Sequence, residues 1–223
     1  MSRVEAHLRE ESIFNQIKLI IFDWSGTLSI DMLVCCEANR RTIPSLRNAS
    51  YEDWQRINQP CFTLWEFLNK VGWQETLEEF RKANKANYDQ VIAEGIFVPK
   101  LREEAEEVLK KLTALKMPVI VVSNHPQQNI ETEAEGYGIA HFFDQLIGGV
   151  PNQKDEILKE VCEALDCSPS EAVYICDSKG DIESSKKAGI LSIAVEGGWT
   201  PADILAQENP DFQISDLTGL LSL

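Results

Sequence analysis

Asp23, Ser123, Lys154, Asp177 and Asp181 are the residues of this chain whose types could do chemistry together. Asp23 follows the apolar run Lys18-Leu19-Ile20-Ile21-Phe22 and precedes a Ser25-Gly26 turn signal. Ser123 and Asn124 end the run Val119-Ile120-Val121-Val122, and Asp177 follows Ala172-Val173-Tyr174-Ile175-Cys176. Continuous apolar runs of this length read as fully buried strands of a parallel sheet. Parallel α/β sheets gather ligands at the carboxyl ends of their strands, so these polar residues would meet at one edge. Lys154 opens the helical stretch after Gly148-Gly149-Val150-Pro151 and would point into the same place. Three carboxylates, a hydroxyl and a cation converging there would make a Mg²⁺ and phosphate site, because Mg²⁺ prefers carboxylate and water oxygens.

The elements that must position these residues alternate in type. The runs at 18–22, 119–124, 172–176 and 191–195 read as strands, with a shorter one at 145–147. Between them Leu101, Ala105, Val108, Leu109, Leu112 and Leu115 form one apolar helical stripe ended by Pro118, and Ile157, Leu158, Val161, Cys162 and Leu165 form another. A helical segment to about Tyr137 separates two of the strands, and Ser168-Pro169-Ser170-Glu171 reads as a turn or a single helical turn. Strands alternating with helices imply right-handed crossovers, hence an α/β fold with a doubly wound, Rossmann-like parallel sheet. From Ile30 to about Phe97 the texture differs, with aromatic residues spaced among polar ones in several short helices. The expected organisation is an N-terminal helical extension over 1–15, an α/β core of 16–29 plus 98–223, and an inserted helical cap over 30–97.

The ordered set resembles the haloacid dehalogenase superfamily, whose members are mostly Mg²⁺-dependent phosphotransferases. Its first motif, D-x-D-G-T, is matched by Asp23-Trp24-Ser25-Gly26-Thr27; its second, a Ser or Thr ending a hydrophobic strand, by Ser123. Its third, a lysine before a helix, is matched by Lys154 without the frequent Lys-Pro pair, and its fourth by Asp177-Ser178-Lys179-Gly180-Asp181, followed by a helix to Ala188-Gly189. The segment between the first two motifs falls where the family carries a helical cap. The resemblance implies Asp23 as nucleophile and a metal held by Asp23, Asp177 and the Ser25 backbone carbonyl, with Asp181 orienting its ligands. It further implies that Ser123, Asn124 and Lys154 hold the phosphoryl oxygens.

One residue departs from the family pattern. Its phosphatases use the second Asp of the first motif to protonate the leaving group, and here that position is Ser25, too weak an acid or base for the task near neutral pH. Ion-pumping ATPases of the superfamily carry Thr there, and phosphonoacetaldehyde hydrolases carry Ala in a similar D-W-A-G-T. The second group also needs an early cap lysine, yet no lysine lies between Ser29 and Asn69; Lys70, Lys82 and Lys85 come later. Dehalogenases usually lack the acidic fourth motif present here. The expected function is therefore a Mg²⁺-dependent phosphatase acting on a small phosphorylated metabolite through an aspartyl-phosphate at Asp23. The alternatives are phosphonoacetaldehyde hydrolase-like C–P cleavage and a weakened binding or regulatory protein.

Taken singly, Asp23 is an ordinary turn residue, Ser123 a helix N-cap and the Asp177–Asp181 pair a solvated helix start; their joint order favours a site. The cap aromatics read as core, and Arg40, Arg41, Arg47 and Arg56 as a solvated face. His125 stands near the chemistry and Trp24 reads as a pocket floor. The 223 residues carry 21 basic against 36 acidic side chains, a net charge of -15 that repels nucleic acid and anionic membranes. The cysteines at 35, 36, 61, 162, 167 and 176 form no C-x-x-C pair, and no membrane span or leader is visible, so a cytoplasmic location is expected. Oligomeric state is left open by the sequence.

Overall fold

The computed structural model describes residues 16–58, 61–151 and 153–222. The helix expected over 1–15 lies outside the described residues. Six parallel strands form the main sheet in the order β5-β4-β1-β6-β7-β8. They are β1 (Leu19–Phe22), β4 (Val119–Val122), β5 (Gln145–Ile147), β6 (Ala172–Cys176), β7 (Leu191–Val195) and β8 (Phe212–Ile214). β1 is central, pairing Ile20 with Val119 on one side and with Val173 on the other.

The two-residue period of a strand sends alternate side chains to opposite faces, and both faces of this sheet are covered. Ile20 and Phe22 join Val121, Ile175 and Ile193 on one face, under α5 (Ala105–Ala114) and α6 (Gln127–Gly136). Leu19 and Ile21 join Val122 and Tyr174 on the other, under α7 (Asp155–Ala164) and α8 (Lys179–Ala188), with α9 (Ala202–Gln207) completing that layer through Leu205. The result is the three-layered α/β fold expected from the strand runs.

Between β1 and β4 the chain makes a detour. A short antiparallel pair, β2 (Ser29–Ile30) with β3 (Lys100–Leu101), brings its two ends together through Ser29 opposite Leu101. The detour consists of α1 (Met32–Thr42), α2 (Tyr51–Asn58), α3 (Leu64–Lys70) and α4 (Leu77–Ala93). These helices bury their own apolar cluster around Trp54, Phe67, Leu68 and Phe80, and Tyr88 packs with Val34 and Val91. Most of the aromatics here are core, while Phe62 and Trp65 are exposed.

Some expected boundaries shift. Leu101 pairs in β3 and the helix begins only at Ala105, because the backbone of Arg102 donates to the Leu28 carbonyl at 2.9 Å and so ties this stretch to the first motif's loop. Leu115 and Leu165, read as the last members of two buried stripes, follow the last helical turns and are exposed. Apolar periodicity alone does not locate a helix end, since the residue after the final turn no longer faces the sheet.

Candidate active site

Asp23 leaves the end of β1 and enters a compact loop in which the Trp24 carbonyl accepts from the amides of Leu28 and Ser29 at 2.8 and 2.9 Å. Gly26 occupies the left-handed region at φ +82°, and a Cβ there would stand 2.1 Å from the Asp177 carboxylate. Only glycine allows this loop to lie so close to β6. Asp177, at the end of β6, is held from both sides: Thr27 Oγ1 donates to one oxygen at 2.9 Å and the Trp199 amide to the other at 2.6 Å.

Lys154 joins the acidic groups. It precedes α7, is 2% exposed, and its Nζ donates to Asp23 Oδ1 at 2.9 Å, Asp181 Oδ1 at 2.8 Å and the Tyr174 hydroxyl at 2.8 Å. All three ammonium protons are thus directed. Burial opposes the charge of Lys154, but Asp181 and Asp23 outweigh it and hold the ammonium well above its usual range. Lys159, by contrast, is a surface residue near Asp155.

Burial, followed by the charge of Asp23, pushes the Asp177 carboxyl up to about 8. Burial raises Asp181 to about 6 against the pull of Lys154, while Ser178 donates to its second oxygen at 2.8 Å. One ammonium among Asp23, Asp177 and Asp181 leaves a net negative charge in a buried place, and that favours a bound cation. Among the described residues no three His, Cys, Asp or Glu side chains form a ready-made metal cage. Mg²⁺ does not require one, since it keeps several waters and uses one or two carboxylates plus substrate oxygens.

The structure brings Asp23, Ser25, Asn124, Lys154, Asp177 and Asp181 to one cavity of about 190 Å³. Its roof comes from the α2–α3 loop, including Phe62 and Thr63, and its wall from Trp199. Ser123, at the end of β4, is fully buried and is not among the residues lining this cavity; its hydroxyl accepts from the His125 amide at 3.3 Å. Trp24 is not the pocket floor. Its ring is buried in the core, stacked on Tyr137 at 6.3 Å, and its Nε1 donates to Glu133 at 2.8 Å.

Ser25 is held in a particular way. Its hydroxyl donates to Asp31 Oδ1 at 2.6 Å and accepts from Trp199 Nε1 at 3.0 Å. Asp31 is fully buried, and burial raises it to about 6. Behind it a His125 ring nitrogen and Glu133 Oε1 are 3.2 Å apart, and Glu133 also accepts from Ser29, Trp24 and Tyr88. The sequence reading passed over Asp31, Glu133, Tyr174 and Trp199. Trp199 had a usable signal, because it follows β7 at the same sheet edge as the other site residues; Tyr174 had none, lying inside an apolar strand run.

Residues 20–195 match a sequence model of the haloacid dehalogenase-like hydrolases. A Caldanaerobacter subterraneus protein provisionally named pyrophosphatase PpaX is 30% identical over 93% of this chain and 94% of its own length. The phosphoglycolate phosphatase of Vibrio cholerae is 28% identical over 93% of this chain and 96% of its own. The solved structure of a haloacid dehalogenase-like family protein from Streptococcus pneumoniae superposes with a TM-score of 0.75 at 20% identity, covering 93% of this chain and 98% of that one. With the motif loops and sheet order described above, these matches establish that the chain belongs to the haloacid dehalogenase-like hydrolase family.

Proposed function

We propose that this hydrolase is a Mg²⁺-dependent phosphatase of small phosphorylated metabolites, working through an aspartyl-phosphate on Asp23 beneath a cap formed by residues 30–97. The observation that carries this reading is Asp23 at the end of the central strand, 2.9 Å from Lys154, facing a small cavity with Asp177 and Asp181. Phosphatase action also agrees with the names of the relatives.

In the first half-reaction an Asp23 oxygen bonds to phosphorus as the bond to the leaving oxygen breaks, and in the second a water oxygen displaces Asp23. Lys154 holds Asp23 in line and offsets charge on the phosphoryl oxygens, with Asn124 beside them. The oxygen-only donor set of Asp23, Asp177, Asp181 and the Ser25 carbonyl suits Mg²⁺. Bound there, the ion would neutralise nucleophile and phosphoryl charge. Ser123 acts one layer back, supporting the His125 turn rather than touching substrate. The leaving-group proton comes from solvent or substrate, because the Ser25 hydroxyl is no acid near neutral pH.

Phosphonate cleavage through an imine has less support: among the described residues Lys154 is the lysine that lines the cavity, and Lys70 and Lys82 are exposed while Lys85 pairs with Asp89. Six free cysteines fit a reducing cytoplasm. Phosphate release from a panel of phosphorylated metabolites, with Mg²⁺, tests the proposal. Asp23→Asn is expected to lose at least about 100-fold in kcat/KM. Equal release by wild type and variant would refute the nucleophile.

A further inference from the structure

Tyr174 is the middle residue of β6 and is fully buried. Its companions on that face of the sheet include Leu19, Ile21 and Val122, and packing among them would be served equally by phenylalanine. A hydroxyl in such a place costs free energy unless it is hydrogen-bonded. Here it is bonded on both sides, donating to the Val122 carbonyl at 3.0 Å and accepting from Lys154 Nζ at 2.8 Å. β1 lies between β4 and β6, so the ring spans the central strand to reach the end of β4. The directions of these bonds are fixed, because a carbonyl only accepts and an ammonium only donates. Burial, then the charges of Asp181 and Asp23, hold the phenol well above its usual range, so it keeps the proton it gives to Val122.

Lys154 has two other partners, Asp23 and Asp181, and both carry further work in the phosphatase reading. Asp23 bonds to phosphorus, and Asp181 belongs to the donor set for Mg²⁺. Their bonds to the ammonium must shift when phosphoryl oxygens arrive beside it. Tyr174 is uncharged, is not among the residues lining the cavity and takes part in neither step, so its bond persists through both. The Lys154 backbone is fixed as well, its amide donating to Ser184 Oγ of α8 at 3.2 Å. Placement matters here, since a misplacement of about 1 Å can cost on the order of 100-fold in rate where a group acts on developing charge.

We propose that Tyr174 is a positioning residue for phosphoryl transfer: its hydroxyl, braced on the Val122 carbonyl, keeps the Lys154 ammonium beside Asp23 while the carboxylates change partners. This rests on the phosphatase reading above. Tyr174→Phe keeps the ring, whose centre is 5.5 Å from Lys154 Nζ, and removes only the hydroxyl. With the full chain, Mg²⁺ and p-nitrophenyl phosphate, it is expected to lower kcat about tenfold while KM stays within about twofold, the pattern of an interaction lost in the transition state. Val173→Ala is the structural control, since Val173 precedes Tyr174 in β6 and packs in the opposite layer. It is expected to lower the urea midpoint and to leave kcat within about twofold. Full kcat in Tyr174→Phe, or an equal loss of kcat in Val173→Ala, would overturn the inference, while turnover that Asp23→Asn abolishes would keep the phosphatase reading. If Tyr174→Phe does not fold, Tyr174→Phe combined with Lys154→Met is expected to fold as Lys154→Met does, because both partners are then apolar. Failure of the combined variant as well would show that the hydroxyl serves the strands rather than Lys154, and would overturn the inference. No Asp23-dependent turnover of any ester by wild type would overturn both readings.

Discussion

Position 25 carries a serine where phosphatases of the family carry the aspartate that handles the leaving-group proton, and the structure puts a carboxylate behind it. Asp31 accepts the Ser25 hydroxyl at 2.6 Å in a fully buried place. Restoring the family residue by Ser25→Asp would therefore set two buried carboxylates against each other. The single variant is expected to be destabilised, and Ser25→Asp with Asp31→Asn to recover part of the loss, with a coupling of about 1 to 2 kcal/mol in a double-mutant cycle by urea denaturation. Strict additivity would contradict the pairing. If the missing carboxylate limits hydrolysis, the double variant also releases phosphate faster than wild type. Lys154→Met is expected to cost about 3 kcal/mol of stability, because Asp23 and Asp181 lose their common partner in the interior. Urea denaturation of Lys154→Met checks this, and an unchanged midpoint would count against it. Asp23, Asp177, Asp181 and Lys154 were legible because each flanks a recognisable element, whereas Asp31 and Glu133 act across the chain and carry no local signal.

Among the elements, the loops after β1 and β7 shape the surroundings of Asp177. A Cβ on Gly198 would stand 2.1 Å from Asp177 Oδ2, the oxygen that accepts from the Trp199 amide. Gly198→Ala is expected to displace Asp177 and weaken Mg²⁺ binding by at least about tenfold in calorimetry, the scale of losses when a ligand's supporting contacts are disturbed. Unchanged affinity would show that Asp177 needs no such cradle. The junction of α1, α4 and α6 is also charged: His125 faces Glu133 at 3.2 Å and Asp31 at 3.8 Å, with Asp23 contributing a further charge. Burial lowers the imidazole, yet the Glu133 hydrogen bond and these carboxylates raise it above its ordinary value. A raised folded-state pKa stabilises fully below the unfolded value of about 6.5 and loses that contribution as pH climbs through the folded one. Wild type is therefore expected to lose stability between pH 6 and pH 9 more than His125→Gln does in urea titrations; parallel curves would contradict this. The buried strands were legible from apolar runs bounded by turn residues. The β2–β3 pair was not, because each of its strands has two residues, too few to show a period.

At the scale of the molecule, the sheet's strand ends carry the candidate site residues and the helical detour covers them, so the proposed chemistry and its cover come from different stretches of the chain. From Ile30 to Phe97 the sequence changes texture, and the aromatic residues there pack a small helical cluster of their own. What the roof selects was not readable, because it depends on which side of α2 and α3 faces Asp23. The net charge of -15 is spread over the whole chain, whereas Asp23, Asp177 and Asp181 gather around the single lysine Lys154. Mg²⁺ is expected to raise the melting temperature and EDTA to reverse the rise, because an ion that binds only the folded state stabilises it by mass action. No shift at millimolar Mg²⁺ would count against an ion at these carboxylates. The central claim is covalent chemistry at Asp23, and it is tested most directly by acid-quenching the enzyme during turnover of p-nitrophenyl phosphate with Mg²⁺ and weighing its peptides. The account predicts one phosphoryl group on the peptide carrying Asp23, absent from Asp23→Asn; wild-type turnover by Asp23→Asn, with no phosphoryl group on that peptide in either protein, would contradict it.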